Sequence, residues 1–156
     1  MIKVNGTTIL LTRCDSAYIE FNIIDDSGQK YEFDANTVIH TQVRETENDD
    51  IESGLLFENI AIVEKDDSNI AHYLWHIVPA NTAKTRTDID YVWDAQIEFA
   101  NGDTYTFIES SKFKVKPEVT LREVIDVKPL DGETQTISDL KEMTKTVITV
   151  TIPREA

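Results

Sequence analysis

The stretch Asp90 to Phe107, DYVWDAQIEFANGDTYTF, decides the fold. Tyr91, Trp93, Ala95, Ile97 and Phe99 alternate with Val92, Asp94, Gln96 and Glu98, the period of two that marks a strand buried on one face. Asn101-Gly102 then supplies the pair that a tight type I′ hairpin turn demands, so the chain is expected to return antiparallel from Thr104 to Ile108.

Outward from this hairpin the same texture recurs. Over residues 17 to 24, Ala17, Ile19, Phe21 and Ile23 alternate with Tyr18, Glu20 and Asn22, and DDSG at 25–28 turns the chain. TVIHTQVRE at 37–45 is rich in β-branched residues and runs into the charged loop ETENDDIESG. LLFENIAIVEK at 55–65 reads as one strand. AHYLWHIVP at 71–79 puts Tyr73, Trp75 and Ile77 on one face and stops at Pro79, while KFKVK at 112–116 is a separate short strand before Pro117. Strands at regular spacing, without a sustained helical period, predict an all-β fold: an immunoglobulin-like antiparallel β-sandwich over residues 1–117.

Residues 118–156 read as a short C-terminal extension. TISDLKEM at 136–143 suits one or two helical turns, with Ser138 as cap and Leu140 and Met143 on one side. KTVITVTIP at 145–153 is a β-prone strand with Ile148, Val150 and Ile152 on one face. With Val147 these form a candidate assembly strand, since such an edge must pair with the sandwich or with another chain.

The 156 residues are 40% hydrophobic, enough for a real core, and 29 Asp and Glu against 15 Lys and Arg leave a formal charge of −14. That balance repels phosphate backbones and anionic headgroups, so neither nucleic acid nor membrane is an expected partner. No apolar run approaches the ~20 residues that span a bilayer, and the N-terminus lacks a signal-peptide pattern; the expectation is a chain that starts at Met1 and is made in a cytoplasm.

The chemistry-bearing residues read as structural. A single cysteine, Cys14, cannot form an internal disulfide, and no histidine partner is evident for it as a nucleophile. His72 and His76 fall on one strand face but four residues apart, roughly 13 Å, too far for one ion, and His40 beside either of them reads as a pair of solvated side chains on a polar face. The acidic groups Asp25-Asp26, Asp49-Asp50-Glu52, Asp66-Asp67 and Asp88-Asp90 sit in expected turns without the spacing of a calcium loop. No nucleophile elbow and no glycine-rich phosphate loop occurs, so catalytic residues, cofactors and metals are all expected to be none. Tyr91, just after the acidic corner TDID, stands where a sandwich pins a connection between its sheets with a buried tyrosine.

Four ordered stretches carry a resemblance: LTRCDSAYIEFNIIDDSGQKYEFDANTVIHTQVRE, WHIVPANTAKT, DYVWDAQIEFANGDTYTF and SKFKVKPEVT. Together, over about Thr7 to Thr120, they resemble the N-terminal domain of phage baseplate upper proteins, a family of tailed phages and prophages of Gram-positive bacteria. The family's threonine-arginine-glycine-aspartate corner is matched by Thr12, Arg13 and Asp15, with Cys14 in place of glycine. Asp94 matches the acidic position after the second aromatic of the family strand, where Trp93 replaces the commoner tyrosine. The glycine implies unusual backbone angles or tight packing, and cysteine is small enough for the second requirement only.

The resemblance implies a non-enzymatic virion protein of the tail baseplate, docking to other tail proteins and synthesised in the host cytoplasm, with self-association compatible. The β-prone KTVITVTIP adds the expectation of an adaptor whose tail strand adds to a neighbour through main-chain hydrogen bonds. The alternative is a carbohydrate-binding surface module using Tyr18, Tyr31 and Tyr105. A hydrolase built on Asp/Glu or Cys14 ranks below both.

Overall fold

A computed structural model describes residues 2–34, 36–46, 54–66, 69–118 and 146–153, with the backbone alone over 62–66 and 69–72. The acidic groups at 49–52, Asp67, the TISDLKEM segment and the side chains of Asp66 and His72 lie outside what is described.

Alternation sets the layers. The strands are β1 (Ile2–Asn5), β2 (Thr8–Thr12), β3 (Ala17–Ile24), β4 (Phe33–Asp34), β5 (Val38–Arg44) and β6 (Leu55–Ile60). They continue with β7 (Ile62–Asp66), β8 (Asn69–Ile77), β9 (Asp90–Glu98), β10 (Thr104–Lys116) and β11 (Thr146–Thr151); a single helical turn, α1 (Pro79–Thr82), follows β8. One six-stranded sheet has the order β1-β2-β10-β9-β5-β6. The other runs β11-β3-β8-β4, with β7 also paired to β8. The fold is all-β, in two mixed sheets.

The core lies between the sheets, because each strand turns its apolar alternate residues inward. Phe21 and Trp75 from one sheet meet Trp93, Phe107 and Phe113 from the other; the Trp75 and Trp93 ring centroids are 5.2 Å apart. Such pairs add about 0.5–1.5 kcal/mol each beyond the area they bury. Both indoles are satisfied, Trp75 Nε1–H donating to Asn59 Oδ1 at 2.9 Å and Trp93 Nε1–H to the Thr7 carbonyl at 2.8 Å. Tyr73 is the exception: its hydroxyl is buried with no partner among the described residues, and burial holds its pKa well above the ordinary 10.0.

Four expectations need correction. The sheets are not purely antiparallel: β2 pairs β10 in parallel, and so does β11 with β3. The antiparallel expectation came from turns between strands adjacent in sequence; these partners are far apart along the chain, and alternation does not encode direction. Residues 55–65 form two strands in different sheets, β6 and β7, which separate at the buried Ala61. Residues 104–116 form one long strand whose register shifts between Thr106 and Ser111 absorb the irregular pattern that read as two.

The Asn101-Gly102 hairpin is not type I′, which needs positive φ at both central residues. Only Gly102 has one, at 92°. Gly102 N–H donates to the Phe99 carbonyl and Phe99 N–H to the Asp103 carbonyl, so Gly102 follows a turn centred on Ala100 and Asn101. Asn101 Oδ1 instead accepts from Asp103 N–H at 2.9 Å.

Candidate functional site

The residues singled out by sequence fall at two places, a polar corner and an edge strand. The corner begins where β2 ends. Asp15 N–H donates to the Thr12 carbonyl at 3.1 Å, closing a four-residue turn in which Cys14 holds φ at 67°. Type II geometry requires positive φ at that third position, which glycine meets freely and an L-residue at a cost of roughly 1–2 kcal/mol. Cys14 is the only non-glycine with positive φ among the described residues.

Arg13, second in this turn, reaches out to two other segments. Its Nε and Nη2 donate to the Glu118 carboxylate at 2.7–3.1 Å, while Nη1 donates to the Thr85 carbonyl at 3.0 Å. A planar guanidinium suits this fork, which a lysine could not reproduce. The bond to Arg13 holds the Glu118 carboxyl below its usual range, with a further hydrogen bond from the Cys14 thiol, and raises the Arg13 guanidinium in turn. Arg13 N–H also donates to the Lys116 carbonyl at 2.8 Å.

The loop after β8 completes the corner. Pro79 opens α1 at the position where a missing N–H costs nothing, and Asn81 Oδ1 accepts from Val78 N–H. This turn delivers Thr82, fully buried, whose Oγ1 accepts from Cys14 N–H at 2.9 Å. Thr85, also buried, donates its hydroxyl to the Thr82 carbonyl at 2.7 Å. Tyr91 is buried at the start of β9, and its hydroxyl accepts from Arg86 N–H at 2.8 Å.

The structure therefore gathers Thr12, Arg13, Asp15 and Tyr91 at one end of the fold and leaves Asp94 elsewhere. Asp94 points outward from β9, opposite Gln42, in a depression of about 160 Å³ that Arg44 and Ser110 also line. Burial raises its carboxyl pKa, and Arg44 opposes that rise. Sequence reasoning missed Glu118, Thr82 and Thr85, although they lie within the quoted KPEVT and PANTAKT. No local pattern distinguishes a lone Glu or Thr whose partner is many residues away.

The terminal strand pairs within the chain. β11 runs parallel to β3 from Thr146↔Ile19 to Thr151↔Ile24, with Ile148 buried and Val150 and Ile152 packed against the core. Tyr31 Oη–H clamps the end of it, donating to the Ile152 carbonyl at 2.6 Å. Val147 faces outward and is 49% exposed.

The remaining candidates have structural surroundings. His76 is buried, not solvated, and lies flat on Tyr18 at 4.5 Å; burial lowers its pKa. His40 pairs with Glu98 at 2.8 Å. Asp25 is buried as the keystone of its turn, its Oδ1 accepting from Ser27 N–H, Ser27 Oγ–H and Gln29 N–H. Among the three tyrosines offered to a sugar, Tyr18 stacks on His76 and Tyr31 on Phe33, while Tyr105 is 47% exposed. No cluster of three or more His, Cys, Asp or Glu able to hold a metal occurs among the described residues.

Neither a family model, nor a curated protein, nor a solved structure matches the chain.

Proposed function

We propose that the chain is a non-enzymatic structural module of a phage or prophage tail baseplate, an adaptor with an immunoglobulin-like sandwich that docks to other tail subunits in the virion. The observation that carries the reading is the convergence at one corner of segments from all four stretches behind the family resemblance. TRCD contributes Arg13 and Cys14, PANTAKT contributes Thr82 and Thr85, DYVWD contributes Tyr91 and KPEVT contributes Glu118. A second point favours it. Where the family's glycine stands, this backbone takes a positive φ, so the position needs what glycine supplies even though cysteine occupies it.

The finer fold assignment draws on Tyr91, whose hydroxyl ties back to the backbone five residues upstream in the manner of a tyrosine corner, and on tryptophans from both sheets that meet at a tilt in the core. The carbohydrate alternative is weaker, because two of its three tyrosines stack on other rings of the chain.

The test is a pulldown with the tagged full-length protein against the separately expressed products of its neighbouring genes, identified by mass spectrometry. Capture of a tail or baseplate subunit is expected. A folded protein that retains none of them, with binding on a glycan array, overturns the reading in favour of the sugar module.

A further inference from the structure

The outer face of the six-stranded sheet divides its charge by strand. Lys3 on β1 and Lys112, Lys114 and Lys116 on β10 alternate with the inward Phe113 and Val115, and the pairings Lys3↔Leu10 and Leu10↔Lys114 set two of these lysines on either side of Leu10. On β9 and β6, Asp90, Asp94, Glu98 and Glu58 face the same way, with Asp90 directly across from Lys114 on the neighbouring strand. In a chain with 29 acidic residues against 15 basic ones, four lysines on one face are a local reversal of sign. Among the described residues none of the four makes an ion pair.

Edge protection accounts for part of this pattern only. A lysine on an edge strand blocks unwanted pairing, which explains Lys3 on β1. β10 lies inside the sheet between β2 and β9, so Lys112, Lys114 and Lys116 guard no edge. Between Lys3 and Lys114 lies a shallow, mostly apolar depression of about 500 Å³ lined by Val4, Asn5, Thr8 and Leu10 with the two lysines. An apolar floor rimmed by cations that no described carboxylate pairs has the form of a recognition patch, with the floor supplying affinity and the rim supplying selectivity and encounter rate.

We infer that the outer face of β1, β2 and β10 is a docking surface for an acidic segment of a partner protein, which seats an apolar side chain over Leu10 and sets carboxylates on Lys3, Lys112, Lys114 and Lys116. Charge complementarity selects this occupant. A second copy of the chain brings 14 net negative charges with it, and meets a larger long-range repulsion than a short acidic segment does. The inference deepens the docking reading and rests on it only in taking the partner to be a tail subunit; the chemistry of the patch stands without it.

The probe is a fluorescein-labelled peptide, Gly-Glu-Glu-Leu-Glu-Glu-Gly, titrated with the full-length protein by anisotropy. The same peptide with Lys for Glu, and one with Ser for Leu, serve as comparisons. The acidic Leu peptide is expected to bind best, with affinity falling as salt shortens the screening length from about 10 Å to about 3 Å. Lys3→Glu/Lys114→Glu should weaken it on the order of tenfold, and Leu10→Ser should abolish the preference for Leu over Ser. Lys30→Glu/Lys84→Glu, the same charge change at exposed positions elsewhere, should leave binding within about twofold.

Equal loss in both double variants would reduce the patch to overall charge and overturn the inference, as would absence of binding. Self-association of the wild type by sedimentation, lost in Lys3→Glu/Lys114→Glu, would assign the face to a second copy instead. A failed pulldown with intact peptide binding overturns the baseplate reading and leaves the patch standing.

Discussion

Cys14 has two roles that pull apart. Its backbone occupies a conformation that suits glycine, while its thiol donates a hydrogen bond to Glu118. Cys14→Ala removes the thiol and keeps the strain; Cys14→Gly removes both. The glycine variant should therefore be more stable than the alanine variant by about 1 kcal/mol, read from denaturant midpoints at unchanged slope. An alanine variant equal to or better than glycine would mean that the turn relaxes away from positive φ. Tyr73 offers a second single-atom test. Its buried hydroxyl has no partner among the described residues, so Tyr73→Phe keeps the ring against Phe33 and discards an uncompensated polar group. The expected gain is about 1 kcal/mol in the same melts, and a loss of that size would place a hydrogen-bonded water on the hydroxyl. At this scale the positive φ at Cys14 was signalled only by the glycine of the resembled family, since cysteine itself announces no such backbone demand. The sequence was silent about Glu118, Thr82 and Thr85, because polar side chains that meet across the fold carry no local period.

Among elements, alternation located β3, β5, β8 and β9 to within a few residues, since a strand buried on one face must show period two. It could not show that 55–65 changes sheets at Ala61, because a crossing at a small buried residue leaves the apolar pattern nearly continuous. Nor could it show strand direction, which separates the observed mixed sheets from the antiparallel sandwich expected. The terminal strand tests what alternation did establish. If β11 is held by its inward residues, Ile148→Ala should cost about 2–4 kcal/mol, as large-to-small changes in cores do. Val147→Lys, one residue away on the exposed side, should change stability by less than about 0.5 kcal/mol. Equal, small effects from both would mean that β11 leaves the sheet in solution and is available to a neighbour.

For the whole molecule, charge couples the corner and the outer face of the second sheet to pH. Glu118 has a lowered pKa in the fold because Arg13 binds its charged form; its contribution is in place above the ordinary 4.5 and is lost as pH falls through the lowered value. His76 also has a lowered pKa, but its cause is burial against Tyr18, so the fold favours the neutral ring. Below the ordinary 6.5 the unfolded chain takes up a proton that the fold resists, and stability falls as pH drops from 6.5 towards the lowered value. Asp94 runs the other way, since burial favours its protonated form and acid relieves it. The two losses occupy different windows, which makes them separable by substitution. His76→Phe keeps an aromatic ring on Tyr18 and removes the titration, so its melting temperature should stay level between about pH 6.5 and 5 while that of the wild type declines. Glu118→Gln should lower the melting temperature at neutral pH and follow a shallower decline below about pH 4.5, because the neutral amide has no charge for acid to remove. Parallel curves for wild type and His76→Phe through the upper window would show that the imidazole is solvated after all and that the stack on Tyr18 opens in solution.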